Sequence, residues 1–275
     1  MESLDAMVMC RVGLGYFSGA QGNVAKFFPA VGRMFSIKQQ LSPKTFDGLI
    51  SGSVDKVCFV QSPEGSLVRH LPLEDIVLLP GSFNPLHVGH QEMARVAGRR
   101  LGRQVLFEIS VGNVEKPSLN YDQAIRRLKQ FQPARYRKTS RYRKTSEGLF
   151  SDSTPITALG VVLTSAPTFG DKLNLFPSSV FAVGADTIVR INELRFYKDA
   201  TQRAEVFQRF AMGKTTQAAQ NKRFLVFGRW RGEEFELDQV KLDSVLRSQC
   251  EFVPQSVFEN RVSSTDLRQS KEQWP

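Results

Sequence analysis

Ile76-Val77-Leu78-Leu79-Pro80-Gly81-Ser82-Phe83-Asn84-Pro85-Leu86-His87-Val88-Gly89-His90 decides how the rest of this chain is read. Four apolar residues stopped by Pro80-Gly81 have the length and composition of a strand buried on both faces, as in a parallel sheet. From His90 to Leu101 the spacing turns helical, with Met93, Val96, Ala97 and Leu101 on one side. The turn between them therefore lies at the carboxyl end of a parallel strand, where open α/β sheets hold their ligands. Gly81 lets the backbone turn sharply and pass close to a ligand. The helix start presents unpaired N–H groups and a positive dipole end, both suited to phosphate. The chain has three histidines, and two of them, His87 and His90, sit in this turn. Their imidazoles can donate hydrogen bonds to phosphate oxygens as charge accumulates in a transition state. The bland alternative is that both merely satisfy a strand-to-helix turn.

Working outward, strands and helices alternate. Val105 to Ser110 reads as a second strand and Tyr121 to Phe131 as a second helix. Ile156 to Thr164, Ser179 to Val183 and Phe224 to Phe227 are further strand candidates, with a helical stretch from Asp199 to Met212 between the last two. This rhythm predicts an α/β fold, a Rossmann-like doubly wound parallel sheet with crossover helices. Residues 1–74 read differently: Gly13, Gly15, Gly19 and Gly22 break up the beginning, and only Val57 to Val60 looks like a strand. A boundary is placed near Leu73, giving a small N-terminal extension (1–74) and a main domain (75–275).

The net charge of +10 invites a nucleic-acid reading, so its distribution matters. Arg-Tyr-Arg-Lys-Thr-Ser occupies 135–140 and recurs, identically, at 141–146, placing six positive charges in twelve residues without an acid. The excess is largely local, and such a run is more often a solvated loop than a groove. We read 132–154 as a basic, disordered insert. Nucleic acid or an acidic surface could be bound only through 135–146, where Tyr136 and Tyr142 interleave the cations.

At 275 residues with 41% hydrophobic content, the chain can form a sizeable core. Cys10, Cys58 and Cys250 lie far apart, which argues against a disulfide framework or structural zinc and for a reducing compartment. No run is long enough for a transmembrane helix, and a secretory leader is not recognisable. These features point to an intracellular, cytoplasmic protein, with mitochondrion and nucleus left open; Glu2 and Asp5 count against a mitochondrial presequence.

Gly81-Ser82-Phe83-Asn84-Pro85-Leu86-His87-Val88-Gly89-His90 resembles the first signature of the HxGH nucleotidyltransferase superfamily, which includes adenylyltransferases of nicotinamide mononucleotide and phosphopantetheine and several cytidylyltransferases. Two further segments carry the likeness. Gly184-Ala185-Asp186-Thr187 is similar to the nucleotide-contacting turn of the nicotinamide mononucleotide branch, and Val262 to Arg268 resembles the second signature, I-S-S-T-x-x-R. Ser263, Ser264 and Thr265 also form a hydroxyl-rich helix N-cap with Arg268 one turn along, a phosphate clamp in its own right or plain capping. The resemblance covers roughly residues 76–270. It implies in-line attack of a phosphorylated acceptor on a nucleoside triphosphate with loss of pyrophosphate, Mg²⁺ riding on the phosphates, and no dedicated metal cage.

On that resemblance His87, His90 and Arg268 are the catalytic candidates. Gly81, Ser82, Phe83, Asn84, Gly89, Lys116, Gly184, Asp186, Arg229, Ser263, Ser264 and Thr265 are candidates for substrate binding. Several have a second reading: Lys116 as a solvated loop lysine, Asp186 as a helix cap, Arg229 as the partner of a surface acid, Trp230 as packing rather than base stacking. The spacing from Val114-Glu115-Lys116-Pro117 to Gly184-Ala185-Asp186-Thr187 looks most like nicotinamide mononucleotide adenylyltransferase-like or cytidylyltransferase-like proteins of eukaryotes. The favoured substrates are thus ATP and nicotinamide mononucleotide, giving NAD, with CTP as the alternative donor. The absence of a tryptophan between the second and fourth strands departs from characterised members and keeps the acceptor open. Residues 1–74 bear a faint likeness to the CinA-type piece that precedes this domain in plant relatives.

Overall fold

The computed structural model describes residues 36–61, 67–70, 75–115, 117–132, 158–212, 222–231, 234–236 and 240–259. All belong to one compact unit, Met34–Pro275. Its centre is an eight-stranded sheet: β1 (Lys56–Gln61), β2 (Leu67–His70), β3 (Val77–Pro80), β4 (Val105–Ser110), β5 (Ala158–Thr164), β6 (Val180–Gly184), β7 (Phe224–Phe227) and β10 (Cys250–Val253), in the order β10-β7-β6-β3-β4-β5-β1-β2. A separate hairpin joins β8 (Arg229–Arg231) to β9 (Glu234–Glu236). The six strands from β10 to β5 run parallel. Renumbered along the chain, they have the order of the dinucleotide-binding fold, whose topological switch point here lies between β3 and β6. The expected Rossmann-like architecture is therefore present.

The helices are α1 (Ile37–Gln40), α2 (Pro43–Ser51), α3 (Val88–Leu101), α4 (Tyr121–Leu128, continued by a 3-10 turn at Lys129–Phe131), α5 (Phe169–Leu175), α6 (Ala185–Asn192), α7 (Ala200–Met212) and α8 (Ser244–Ser248). Local chemistry sets their ends. Asn120 accepts from the Gln123 N–H while Gln123 accepts from the Asn120 N–H, and Thr168 and Asp171 cap α5 reciprocally. Gly102, at φ +62°, ends α3 in a left-handed turn. Val77 and Leu79 of β3, Val105 and Phe107 of β4 and Val161 and Leu163 of β5 face one core with Ala94, Ala97, Ala124, Ile125 and Leu128 of α3 and α4.

The strand read at Val57–Val60 does not stand apart from this sheet. β1 pairs antiparallel with β5 over Lys56–Val60, and β2 continues outward. The expected boundary near Leu73 thus falls inside the compact unit, which begins at Met34. Gly160 makes the pairing feasible, since a Cβ there would lie 1.9 Å from the Phe59 carbonyl oxygen. Leu41 and Leu49 are buried in the same core, and Tyr121 of α4 donates to the Leu41 carbonyl at 2.7 Å. Residues 36–61 are therefore part of the scaffold of the main fold. The insert at 135–146, Lys116 and Ser263–Arg268 lie outside the described residues.

Candidate active site

The turn after β3 and the start of α6 after β6 meet at the switch point, so Gly81–His90 and Gly184–Asp186 are brought together by topology. Within the first, His87 is the N-cap of α3 and its Nδ1 accepts from the Gly89 N–H at 3.2 Å. His90 reaches back, its Nδ1 accepting from the His87 N–H at 3.4 Å. The two rings stack with centroids 3.8 Å apart. With both Nδ1 atoms accepting, each neutral ring carries its proton on Nε2 and presents it as a donor. Burial pushes His87 down to about 4; burial and then the adjacent His87 push His90 down to about 3. Both are neutral donors at pH 7. The Gly89 N–H, expected to be open to phosphate, is instead taken by His87.

Phe83 is a core residue, 1% exposed, with its ring edge-on to His90, Phe107 and Phe131. Its side chain offers no surface to a ligand, in contrast to its placement among the binding candidates; Ser82 and Asn84 are exposed. The backbone at Phe83 takes φ +43°, and the Asn84–Pro85 bond is cis. A Cβ on Gly81 would meet the Phe83 ring at 2.7 Å, so this glycine makes room for the ring that backs His90.

Gln130 was not visible as a site residue in the sequence. Its Nε2 donates to the Phe83 carbonyl at 2.9 Å and its Oε1 accepts from the Leu86 N–H at 2.8 Å. One side-chain amide thus braces both limbs of the histidine turn. Gln recurs so often on exposed helix positions that only the three-dimensional pairing singles this one out.

Across the switch point, Gly184 is the N-cap of α6, and a Cβ there would meet nothing within 4 Å. Its φ of −76° is open to any residue, so the bare position leaves space above the strand ends rather than satisfying a turn. Asp186 pairs with Arg229, Oδ2 to NH1 at 2.6 Å. The two candidates read separately from the sequence therefore form one unit, at the carboxyl ends of β6 and β7.

Beside this lies a cavity of about 440 Å³, lined among others by Asn113, Glu115, Phe169, Arg190, Phe196, Tyr197 and Arg209. Glu115 joins its walls, pairing with Arg190 of α6 and with Arg195. Three aromatic rings and Arg209 suit a ligand that is flat at one end and anionic elsewhere, whereas Arg190 is already paired with Glu115. Of these, only the Val114-Glu115-Lys116-Pro117 loop carried a signal in the sequence. Among the described residues, no group of three or more His, Cys, Asp or Glu could hold a metal, and no helix is long and apolar enough to cross a membrane.

Residues 78–270 match the family model described as cytidylyltransferase-like. The chain belongs to this family, part of the HxGH nucleotidyltransferase superfamily, and is a nucleotidyltransferase by class. No curated protein matches it significantly.

Proposed function

We propose that the protein transfers an adenylyl group from ATP to nicotinamide mononucleotide, giving NAD and pyrophosphate. In this reading an acceptor phosphate oxygen attacks the α-phosphorus. The new P–O bond forms as the bond to the β-phosphate bridging oxygen breaks, and the electron pair leaves with pyrophosphate. The observation that carries the reading is the reciprocal histidine cap at the switch point, which leaves two neutral Nε2–H groups as donors; in this reading they meet the charge that grows on the leaving phosphates. Gly184 leaves room for the triphosphate, and the Asp186–Arg229 pair offers a carboxylate to a ribose and a guanidinium to a phosphate. Mg²⁺ enters with the nucleotide as part of the substrate. Ser263, Ser264, Thr265 and Arg268 supply a second phosphate clamp, and Lys116 a further cation.

Support for the acceptor comes from the neighbouring cavity: Phe169, Phe196 and Tyr197 provide the stacking surface that the missing tryptophan leaves wanting. CTP as donor is the second reading, favoured by the family description itself. The protein incubated with Mg²⁺, ATP or CTP, and a panel of phosphorylated acceptors decides between them. NAD formation with ATP and nicotinamide mononucleotide is expected; pyrophosphate release only with CTP and another acceptor would overturn the assignment while leaving the reaction class intact.

A further inference from the structure

A second cavity, of about 590 Å³, is lined by Asn84, Pro85, Gln123, Arg126, Arg127, Lys129 and Gln130. It touches the histidine turn at Asn84 and Pro85, but His87, His90, Gly184, Asp186 and Arg229 do not line it. Three cations project from one short segment of α4 and the turn that continues it. Among the described residues no carboxylate pairs with Arg126, Arg127 or Lys129, whereas Arg95, Arg100, Arg103, Arg190, Arg195 and Arg229 all have acidic partners. Arg127 is half-buried, and its guanidinium is held below its usual range by that burial and then by Arg126. Gln123 adds donors, because its Oε1 is held by the Asn120 N–H and its amide hydrogens remain. Adjacent unneutralised cations with a concave, donor-rich wall are the complement of a compact multivalent anion; guanidinium pairs match phosphate oxygens in particular.

We propose that this cavity is a second anion site, taking an oligophosphate separately from the nucleotide crevice. Gln130 is common to both: it forms part of the cavity wall and braces the turn that carries His87 and His90. An anion seated here therefore bears directly on the side chain that fixes the histidines.

Calorimetric titration with inorganic tripolyphosphate at moderate ionic strength tests this. Four proteins are compared, each checked by circular dichroism and thermal melting: the wild type; the triple variant Arg126→Gln, Arg127→Gln, Lys129→Gln; the double variant His87→Ala, His90→Ala; and a variant with all six cations of 135–146 changed to Gln. The expected result is two equivalents bound by the wild type, loss of one in the triple variant, loss of the other in the histidine variant, and both retained in the 135–146 variant. One equivalent in the wild type, lost in the triple variant and kept in the histidine variant, would support the cavity and count against the histidine crevice. Undiminished stoichiometry in the triple variant, or loss of an equivalent on neutralising 135–146 alone, would overturn the proposal.

Discussion

Replacing Gln130 by Ala removes the donor at 2.9 Å to the Phe83 carbonyl and the acceptor at 2.8 Å for the Leu86 N–H. Each backbone group left unpaired costs about 1–3 kcal/mol when buried. Gln130 is itself half-buried, so water recovers part of this, and a net loss of about 2 kcal/mol is expected. The cost falls on a turn whose purpose here is alignment. If all of it appears as lost transition-state positioning, kcat/KM drops about thirtyfold. The drop should lie mainly in kcat, because the histidines' bonds to the phosphates strengthen most as charge grows on the leaving group in the transition state. Gln130→Glu separates the two bonds: it keeps an acceptor for Leu86 but sets a carboxylate against the Phe83 carbonyl, so it should not rescue. Steady-state pyrophosphate release with thermal melts of all three proteins provides the assay. Wild-type kcat/KM in a folded Gln130→Ala protein would refute the bracing argument.

Three further outcomes follow from the same geometry. Gly160→Ala forces a Cβ onto the Phe59 carbonyl, so β1 must shift off β5; a loss of about 3 kcal/mol and a lower melting temperature are expected, and an unchanged melt would mean the sheet does not depend on that approach. Gly184→Val enters open space at an ordinary φ, so stability should hold while KM for the nucleotide rises about tenfold; an unaltered KM would place the triphosphate elsewhere. Folded His87 and His90 have depressed pKa values, so the unfolded chain binds more protons between pH 6.5 and about 4, and stability falls as pH drops through that window by up to about 1.4 kcal/mol per pH unit for each ring. Denaturation midpoints across pH 7 to 5 should show this slope, and the His87→Asn, His90→Asn double variant should flatten it.

The strand–turn–helix at Ile76–Leu101 was legible because every local signal agreed: an apolar run, a Pro-Gly stop, then a helical period. The long helix near Ala200–Met212 and the strands β4, β6 and β7 were legible for the same reason. What escaped was non-local. Val57–Val60 looked like a strand, but its partner is β5, about a hundred residues on, and the glycine that admits it looks like any other glycine in a strand. α5 and α6 are short, and β10 shows only a partly buried pattern, so they lack the periodic length that exposes a helix or strand in sequence. In the site, Asp186 and Arg229 could each be proposed alone, but their pairing depends on β6 and β7 being neighbours. The burial of Phe83 was not legible either, because it stands between the exposed Ser82 and Asn84, while in the structure it takes a left-handed φ and its ring is packed in the core.

The most direct test of the central claim is pyrophosphate release by His90→Ala compared with wild type, at saturating nucleotide, acceptor and Mg²⁺, with both proteins shown to be folded. Loss of one preorganised donor to the leaving phosphates predicts a fall in kcat of about a hundredfold or more, with the melting temperature largely retained. A folded His90→Ala protein that turns over at the wild-type rate would contradict the assignment of this turn as the catalytic centre.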